Sequence, residues 1–376
     1  MTGKRVDWSN LPSELWALIA KHVNSSIDIL RFRSVCKTWR SALPLPPSLT
    51  LISPRIPILH AGYSLFQTKI YILQPYTSQY PSPSSPSSSN SKAFLIKVGQ
   101  SKTLQIRLLD PFTNSRLSHT NRIFPSHTSP DHLNFLKFRV IELIEAYTLS
   151  FRTRAFYDQD EDEDEDKDVD ELRFFMSVPS IRKVMLFPSS HVEGRILFAL
   201  YNDGKLGVSK IEDENWTILD EGNQLYDDII LYKGQLYVVD KWGTIFWIDC
   251  SSFKLVQFSP LLCGFGKRKH LVESAGSLYV VDMYMEYVEV VDIKVYMLDE
   301  EWGRWLDVKN LGDVLFVLCK DSNFSLSAQD YYGCEGNCIY FYSEGRASGF
   351  CLHNSKFKSP KPFCPCPTLF HPDFNF

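Results

Sequence analysis

Asp240, Asp249, Asp282 and Asp292 each close a run of apolar residues. Two such carboxylates facing a common space could act as general acid and base, as in glycoside hydrolysis. These four recur at equivalent ends of a repeated pattern, however, whereas an acid–base pair occupies unique positions. An Asp at a strand end accepts hydrogen bonds from the backbone N–H groups of the following turn, and the repetition favours that role. Cys334 and Cys338 are separated by three residues, Cys364 and Cys366 by one. Four thiolates can hold zinc, but neither spacing is the two-residue knuckle, and Cys338 falls in the strand-like run NCIYFY, so packing thiols are expected. The basic cluster GFGKRKH at 264–270 has the composition of a phosphate contact or a nuclear localisation signal. It is short and lies between strand-like segments, which predicts a loop of ordinary lysines. VGQSKT at 98–103 lacks the leading Gly and the Gly-Lys pair of a phosphate-binding loop, and neither H-E-x-x-H nor G-x-S-x-G occurs. No catalytic residue, cofactor or metal is predicted.

The elements that carry these residues follow from a repeat. YKGQLYVVDKWGTIFWID at 232–249 is echoed by SAGSLYVVDMYMEYVEVVD at 274–292, with the LYVVD runs displaced by 42 residues. Each copy holds two strands: a glycine turn leads into a Leu-Tyr-Val-Val run ending in Asp, and a second run ends in Asp249 or Asp292. Apolar residues on both faces of Leu236 to Val239 predict a strand buried on both sides. Short strands repeating at about 40 residues are the signature of a β-propeller, and dividing the chain by that repeat gives six or seven blades. GRILFALYNDGKLGVSKI and GNCIYFYSEGRASGFCLH repeat the pattern more loosely, and Trp216 and Trp305 are expected to pack between blades. The fold class is thus mainly β, with a small α unit at its N-terminal side.

Two stretches interrupt the strands. PYTSQYPSPSSPSSSNS at 75–91 is too rich in proline and serine to pack, and DQDEDEDEDKDVDE at 158–171 carries eleven acidic residues and one Lys. Both are expected to be disordered, solvated insertions. Without the acidic run the chain holds 33 acidic and 39 basic residues, so its net charge moves from −4 to about +6.

Residues 7 to 43, DWSNLPSELWALIAKHVNSSIDILRFRSVCKTWRSAL, read as short helices. Pro12 suits a first helical position, and Leu15, Leu18, Ile19 and His22 follow at helical spacing. Ser26 can cap a second helix with Ile29, Phe32 and Cys36 on one stripe and Val35, Trp39 and Leu43 on the next, ended by Pro44, Pro46 and Pro47. Such a unit is too small to cover its own apolar residues, which implies a partner. The pattern LPxEL followed by DILRFRSVCKTWRS, carried by Leu11, Pro12, Glu14, Leu15, Ile29, Leu30, Arg31, Val35, Cys36, Trp39 and Arg40, resembles the F-box family. The resemblance implies a three-helix F-box over 7–45 that docks on a Skp-type adaptor and, through it, a cullin. It assigns the contact to Leu11, Pro12, Leu15, Ile19, Leu30, Val35, Cys36 and Trp39, although Ile19 and Trp39 would also suit a small internal core.

LLDPFTNSRL at 108–117 and the long run VYMLDEEWGRWLDVKNLGDVLFVLCKDSNFSLSAQDYYGCEGNCIYFYSE at 295–344 resemble plant F-box proteins with a KIB-type, kelch-like β-propeller. That resemblance places the propeller at 60–370. It implies the substrate-recognition subunit of an SCF-type ubiquitin ligase: a non-catalytic receptor whose propeller binds an unidentified protein target. A non-ligase scaffold or regulatory protein built on the propeller is the alternative. No nucleic-acid or membrane partner is predicted. The first ten residues lack an apolar signal core and no 18 consecutive residues are apolar, so an intracellular location, nuclear or cytoplasmic, is expected. Nine cysteines, an odd number, suit a reducing compartment, and the sequons at Asn24, Asn215 and Asn323 are then chance matches.

Overall fold

The computed structural model describes residues 15, 18–19, 32–33, 35–43, 63–75, 93–100, 106–114, 138–152, 175–177, 180–187, 196–210, 217–219, 224–262, 264–331, 335–343 and 346–358. The two expected insertions, apart from Pro75, lie outside these residues.

The described strands form four sheets. The first contains β1 (Tyr63–Pro75), β2 (Phe94–Gln100), β3 (Ile106–Leu109), β4 (Phe138–Arg152), β5 (Phe175–Ser177), β6 (Ile181–Phe187), β7 (Ile196–Tyr201), β8 (Leu206–Lys210) and β9 (Thr217–Ile218). Its order is β3-β2-β1-β4-β6-β7-β8-β9, with β5 on the end of β4. β4 and β6 share one residue pair, Tyr147 with Val184, so this sheet is two strand sets barely joined. The second sheet runs β10 (Tyr226–Tyr232), β11 (Gln235–Asp240), β12 (Ile245–Asp249), β13 (Lys254–Gln257). The third runs β14 (Arg268–Ser274), β15 (Ser277–Glu286), β16 (Glu289–Asp299), β17 (Arg304–Val308). In the fourth, β18 (Val314–Leu318) lies between β19 (Asn323–Ser327) and β20 (Cys338–Ser343), followed by β21 (Arg346–Cys351) and β22 (Lys356–Lys358). β18 and β20 pair in parallel, whereas every other strand pair is antiparallel among the described residues.

Five apolar clusters join these sets in a closed ring. Leu65 and Leu149 meet Val184 and Leu197 between the two halves of the first sheet. Phe198 and Val208 meet Leu236 and Val238. Tyr237 and Val239 meet Leu271 and Val280. Val281 and Val295 meet Phe316 and Ile339. Leu315 and Tyr340 then meet Ile70 and Leu95, which returns the ring to its start. The predicted two-sided strand is borne out at β11: Leu236, Val238 and Val239 are fully buried, with alternate residues packing on opposite neighbours. The described strands thus make five sets rather than the six or seven obtained by dividing chain length by a constant repeat. β1 and β4, at 13 and 15 residues, use more chain than that repeat allows. Trp305 packs at the interface of the second and third sheets as expected, its indole N–H donating to Pro260 O at 2.9 Å. Trp216 lies outside the described residues.

The repeat has a local cause. Lys233 and Gly234 have φ of 47 and 78, and Ala275 and Gly276 have 50 and 78, so each copy turns through two left-handed residues. Such two-residue turns match the twist of the strands they join, and pair Tyr232 with Gln235 and Ser274 with Ser277. On the helical side, α1 (Lys37–Ala42) follows Cys36, whose extended backbone (φ −159, ψ 176) separates it from helical Phe32, Arg33 and Val35. The second helical segment is therefore broken at Cys36. Arg33 Nη1 donates to Arg40 O at 2.9 Å and Arg40 Nε donates to Arg33 O at 3.2 Å, which ties the two pieces together.

Glycine replacements separate backbone strain from crowding. At Gly234 a Cβ meets nothing within 4 Å, so Gly234→Ala should cost only the left-handed penalty, about 1 kcal/mol. At Gly243, with φ 82, a Cβ would lie 2.5 Å from the Cβ of Leu262, so Gly243→Ala should cost clearly more. Urea unfolding midpoints that rank the two variants the other way would contradict this packing.

Candidate binding site in the central channel

The innermost strand of several sets begins with charge where the rest of the strand is apolar: IRKVMLF in β6, YDDIILY in β10, RKHLVES in β14. These charges are buried. Lys183 and Asp228 are 6% and 3% exposed, and Asn323 at the start of β19 is 8% exposed. Asp228 gathers them. Its Oδ1 accepts from Lys183 Nζ and from Ile229 N, both at 2.8 Å, while its Oδ2 accepts from Leu271 N at 2.9 Å and Asn323 Nδ2 at 2.6 Å. One carboxylate thereby bonds to β6, β10, β14 and β19. Burial alone would raise its pKa, but the Lys183 ammonium, His270 and the donated hydrogen bonds outweigh burial and hold the carboxyl below its usual value.

Asp321 does the same where the ring closes. It accepts from Lys97 Nζ at 2.6 Å, Asn114 Nδ2 at 2.9 Å and Thr68 Oγ1 at 3.1 Å, which ties β1 and β2 to the β18–β19 turn. Lys97 outweighs the burial here too, and Asp321 is held low. Asp227 differs: burial outweighs Arg182 and Lys269, and its carboxyl is raised. Beside it, His270 has its Nδ1 4.0 Å from Asp228. Burial and the surrounding Arg268, Lys183 and Arg182 push its pKa down to about 3 against the pull of Asp228, so the ring is neutral at pH 7.

These groups border a cavity of about 720 Å³ at the end of the channel where β6, β10, β14 and β19 begin. Arg182, Lys183, Asp227, Asp228, Arg268, His270 and Asn323 form its polar wall, and Met283, Met285, Val288, Val290, Leu318 and Phe341 its apolar wall. Concave, mostly apolar spaces of this size with a few convergent polar groups are typical binding sites.

The four aspartates singled out by sequence do not converge here. Asp240 accepts from Trp242 N at 2.9 Å and Thr244 N at 2.8 Å, and Asp249 from Ser251 N at 3.0 Å, so both cap turns as expected. Asp282 does not, despite its equivalent place in the repeat. It is fully buried, 3.1 Å from Lys269 Nζ, and accepts from Gly266 N at 3.2 Å. Any Cβ at Gly264 or Gly266 would lie 2.5 or 2.2 Å from its oxygens, which explains both glycines. Among the described residues, the Asp292 carboxylate accepts only from its neighbour Ile293 N, at 2.9 Å. The reading of GFGKRKH as a plain loop is corrected: its last three residues start β14, with Lys269 buried and Arg268 and His270 in the channel wall.

Cys338 lies opposite Cys351 on β21, their sulfurs 2.9 Å apart, and Glu335 is close by. Lys358 holds Glu335 in an ion pair, and burial together with Cys351 pushes the Cys338 thiol up to about 12. A metal there would have to displace an ammonium and ionise a resistant thiol. Cys334, Cys364 and Cys366 lie outside the described residues. The sequon residue Asn323 is buried with its amide nitrogen bonded to Asp228, so it offers no attachment point.

Of the residues assigned to the adaptor contact, Leu15, Ile19 and Val35 are exposed, at 42%, 40% and 56%. Cys36 and Trp39 are half-buried, and Trp39 packs on buried Phe32 with ring centroids 4.5 Å apart, a core role. Leu11, Pro12 and Leu30 lie outside the described residues. Sequence reasoning missed Arg182, Asp227, Asp228, Arg268, His270 and Asn323. The available signal was the polar or charged start of otherwise apolar strands, recurring from Asp228 to His270 at the same 42-residue displacement as LYVVD.

Removing the hub should be costly, because it strands Lys183 in the interior. Asp228→Ala is expected to lose about 3–5 kcal/mol of stability. Stability should also fall with acidity. His270, held near 3 when folded, takes up its proton in the unfolded chain first, so stability is lost as pH drops below its ordinary value of 6.5. The slope reaches about 1.4 kcal/mol per pH unit, and Asp228 and Asp321 add to the loss only through the lower carboxylate range. Denaturant titrations from neutral pH to about pH 5 should show this decline, flattened in His270→Gln; a native-like slope in that variant would contradict the assignment.

Comparison with known proteins agrees with this architecture. Residues 62–358 match the KIB1-4 beta-propeller family model and residues 8–49 match the F-box domain model. F-box protein At2g26160 of Arabidopsis thaliana is 30% identical, with 92% of this chain and 98% of that protein covered. F-box protein At4g35733 of the same plant is 31% identical over 92% and 91% of the two chains. F-box protein SKIP23, also from Arabidopsis thaliana, is 30% identical over 89% and 84%. A ring of strand sets matched over nearly all its length, behind an F-box, places the chain in the family of plant F-box proteins that carry a KIB1-4 beta-propeller.

Proposed function

We propose that this protein is the substrate-recognition subunit of an SCF-type ubiquitin ligase. Its three-helix F-box docks on a Skp-type adaptor and through it reaches a cullin, while the propeller holds a target protein so that ubiquitin delivered elsewhere in the assembly reaches the target's lysines. The chain itself performs no chemistry, and its place of action is the nucleus or the cytoplasm. The observation that carries this reading is the exposure of Leu15, Leu18, Ile19 and Val35 on the helical block, at 42%, 53%, 40% and 56%. Large apolar side chains left open beside a small core of Phe32 and Trp39 are what an adaptor would cover. Leu11, Pro12 and Leu30 belong to the same contact by the F-box pattern, and Cys36, half-buried at the break before α1, borders it.

Covering a Leu or Val side chain contributes about 1.5–3 kcal/mol, so Leu15→Ala combined with Val35→Ala should weaken binding to a purified Skp-type adaptor roughly tenfold or more. The propeller's thermal unfolding should not move, since neither residue belongs to it. Undiminished adaptor binding would defeat the docking assignment. Ubiquitin transfer to a co-purified partner in a reconstituted ligase separates the receptor from a scaffold that never engages the ligase.

A further inference from the structure

The channel cavity has a charge imbalance. Asp228 is saturated by Lys183, Leu271 N, Asn323 and Ile229 N. Asp227 receives Lys269 N at 3.1 Å and lies 3.4 Å from Arg182 Nη1. Arg182 is further held by Asn202 O at 2.8 Å and Asp227 O at 3.1 Å, yet its buried Nε–H has no acceptor among the described residues. Arg268 stands in the same wall, and its side chain has neither a hydrogen bond nor an ion pair among the described residues. Burial and the neighbouring Arg182 lower its pKa, while Asp227 and Asp228 act on it only from a distance. A half-buried guanidinium keeps its charge, and it is stabilised most by an anion that brings planar acceptors to its fork of donors.

The facing wall is apolar and continues outward. Met285, Val288 and Val290 come from the β15–β16 hairpin, whose tip leaves Tyr287 and Val288 exposed at 95% and 67%. Tyr342, 44% exposed, stands on another part of the rim. An occupant therefore needs one anionic group inside and apolar surface reaching the rim. The same hairpin tip carries exposed Glu286 and Glu289, which repel an extended polyanion such as a nucleic-acid backbone.

We propose that this end of the channel binds a peptide segment of the target in which an anionic side chain, carboxylate or phosphoester, enters towards Arg268 and an adjacent apolar side chain lies on Met285, Val288 and Val290. The inference rests on the reading of the propeller as the target-binding body, and it names the chemistry that body selects. It does not depend on the helical block, because no described residue of that block lines the cavity.

The test selects an mRNA-displayed library of random short peptides on the immobilised full chain. Enriched peptides should carry Asp or Glu beside Leu, Ile, Met or Phe, and a representative one should bind Arg268→Gln roughly tenfold more weakly. Val288→Asp lies at an exposed tip where the fold does not need it, and should weaken the same peptide even if Arg268→Gln does not fold. Replacing the acid by phosphoserine assigns the source: tighter binding marks a phosphoester site, weaker binding a carboxylate site, and both support the pocket. Failure to enrich any peptide, enrichment without acidic residues, or equal binding to native chain and Val288→Asp would overturn it. Adaptor binding is measured separately on the same preparation, so a failed F-box assignment and a failed channel assignment give different results.

Discussion

One buried carboxylate sets the terms for the rest of this ring. Asp228 accepts hydrogen bonds from four inner strands at once, so strand sets that share no sheet are still held at fixed distances around the channel. Burying a charge is costly unless it is paired and its lone pairs are filled, and here both oxygens are filled. The arrangement specifies geometry more than it adds stability. Apolar clusters can slide against one another, whereas a carboxylate with four donors has one arrangement that satisfies it. Asp321 repeats the device at the closure, where the chain's earliest strands meet its late ones.

That geometry positions the channel wall. Because Lys183 and Asp228 neutralise each other, and His270 is kept neutral by burial among cations, the positive charge facing the cavity is carried by Arg182, Arg268 and Lys320. Arg182 is tethered to the backbone oxygens of Asn202 and Asp227, and the Arg268 side chain has no hydrogen-bond or ion-pair partner among the described residues. The ring thus presents a cation whose side chain has no partner among the described residues next to a hydrophobic hairpin. The helical block works by a different principle: its exposed Leu15, Ile19 and Val35 offer area, not charge.

Identical letters in the repeat do different work. Asp240 and Asp282 occupy the same place in LYVVD, yet the first caps a turn and the second is sealed against Lys269 under two glycines. The difference arises outside the repeated segment, in the GFG run that packs over Asp282. Likewise the cluster that reads as a run of exposed lysines divides as a strand must. Lys267 is exposed, Lys269 is buried, and Arg268 and His270 alternate with it to face the channel.

Local chemistry made several features legible from the residues alone. A glycine turn beside apolar runs announced the paired strands, two-sided apolar composition announced burial of β11, and proline with helical spacing announced the short helical block. These depend on a few adjacent residues and their backbone preferences, which any stretch of chain carries with it. The number of strand sets and the contents of the channel were decided only in the folded ring. Lys97 meets Asp321 across 224 residues, and Asn323 meets Asp228 across 95. No local preference encodes which distant charge will neutralise another; that pairing is set when the apolar clusters close the ring and leave each buried charge one partner within reach.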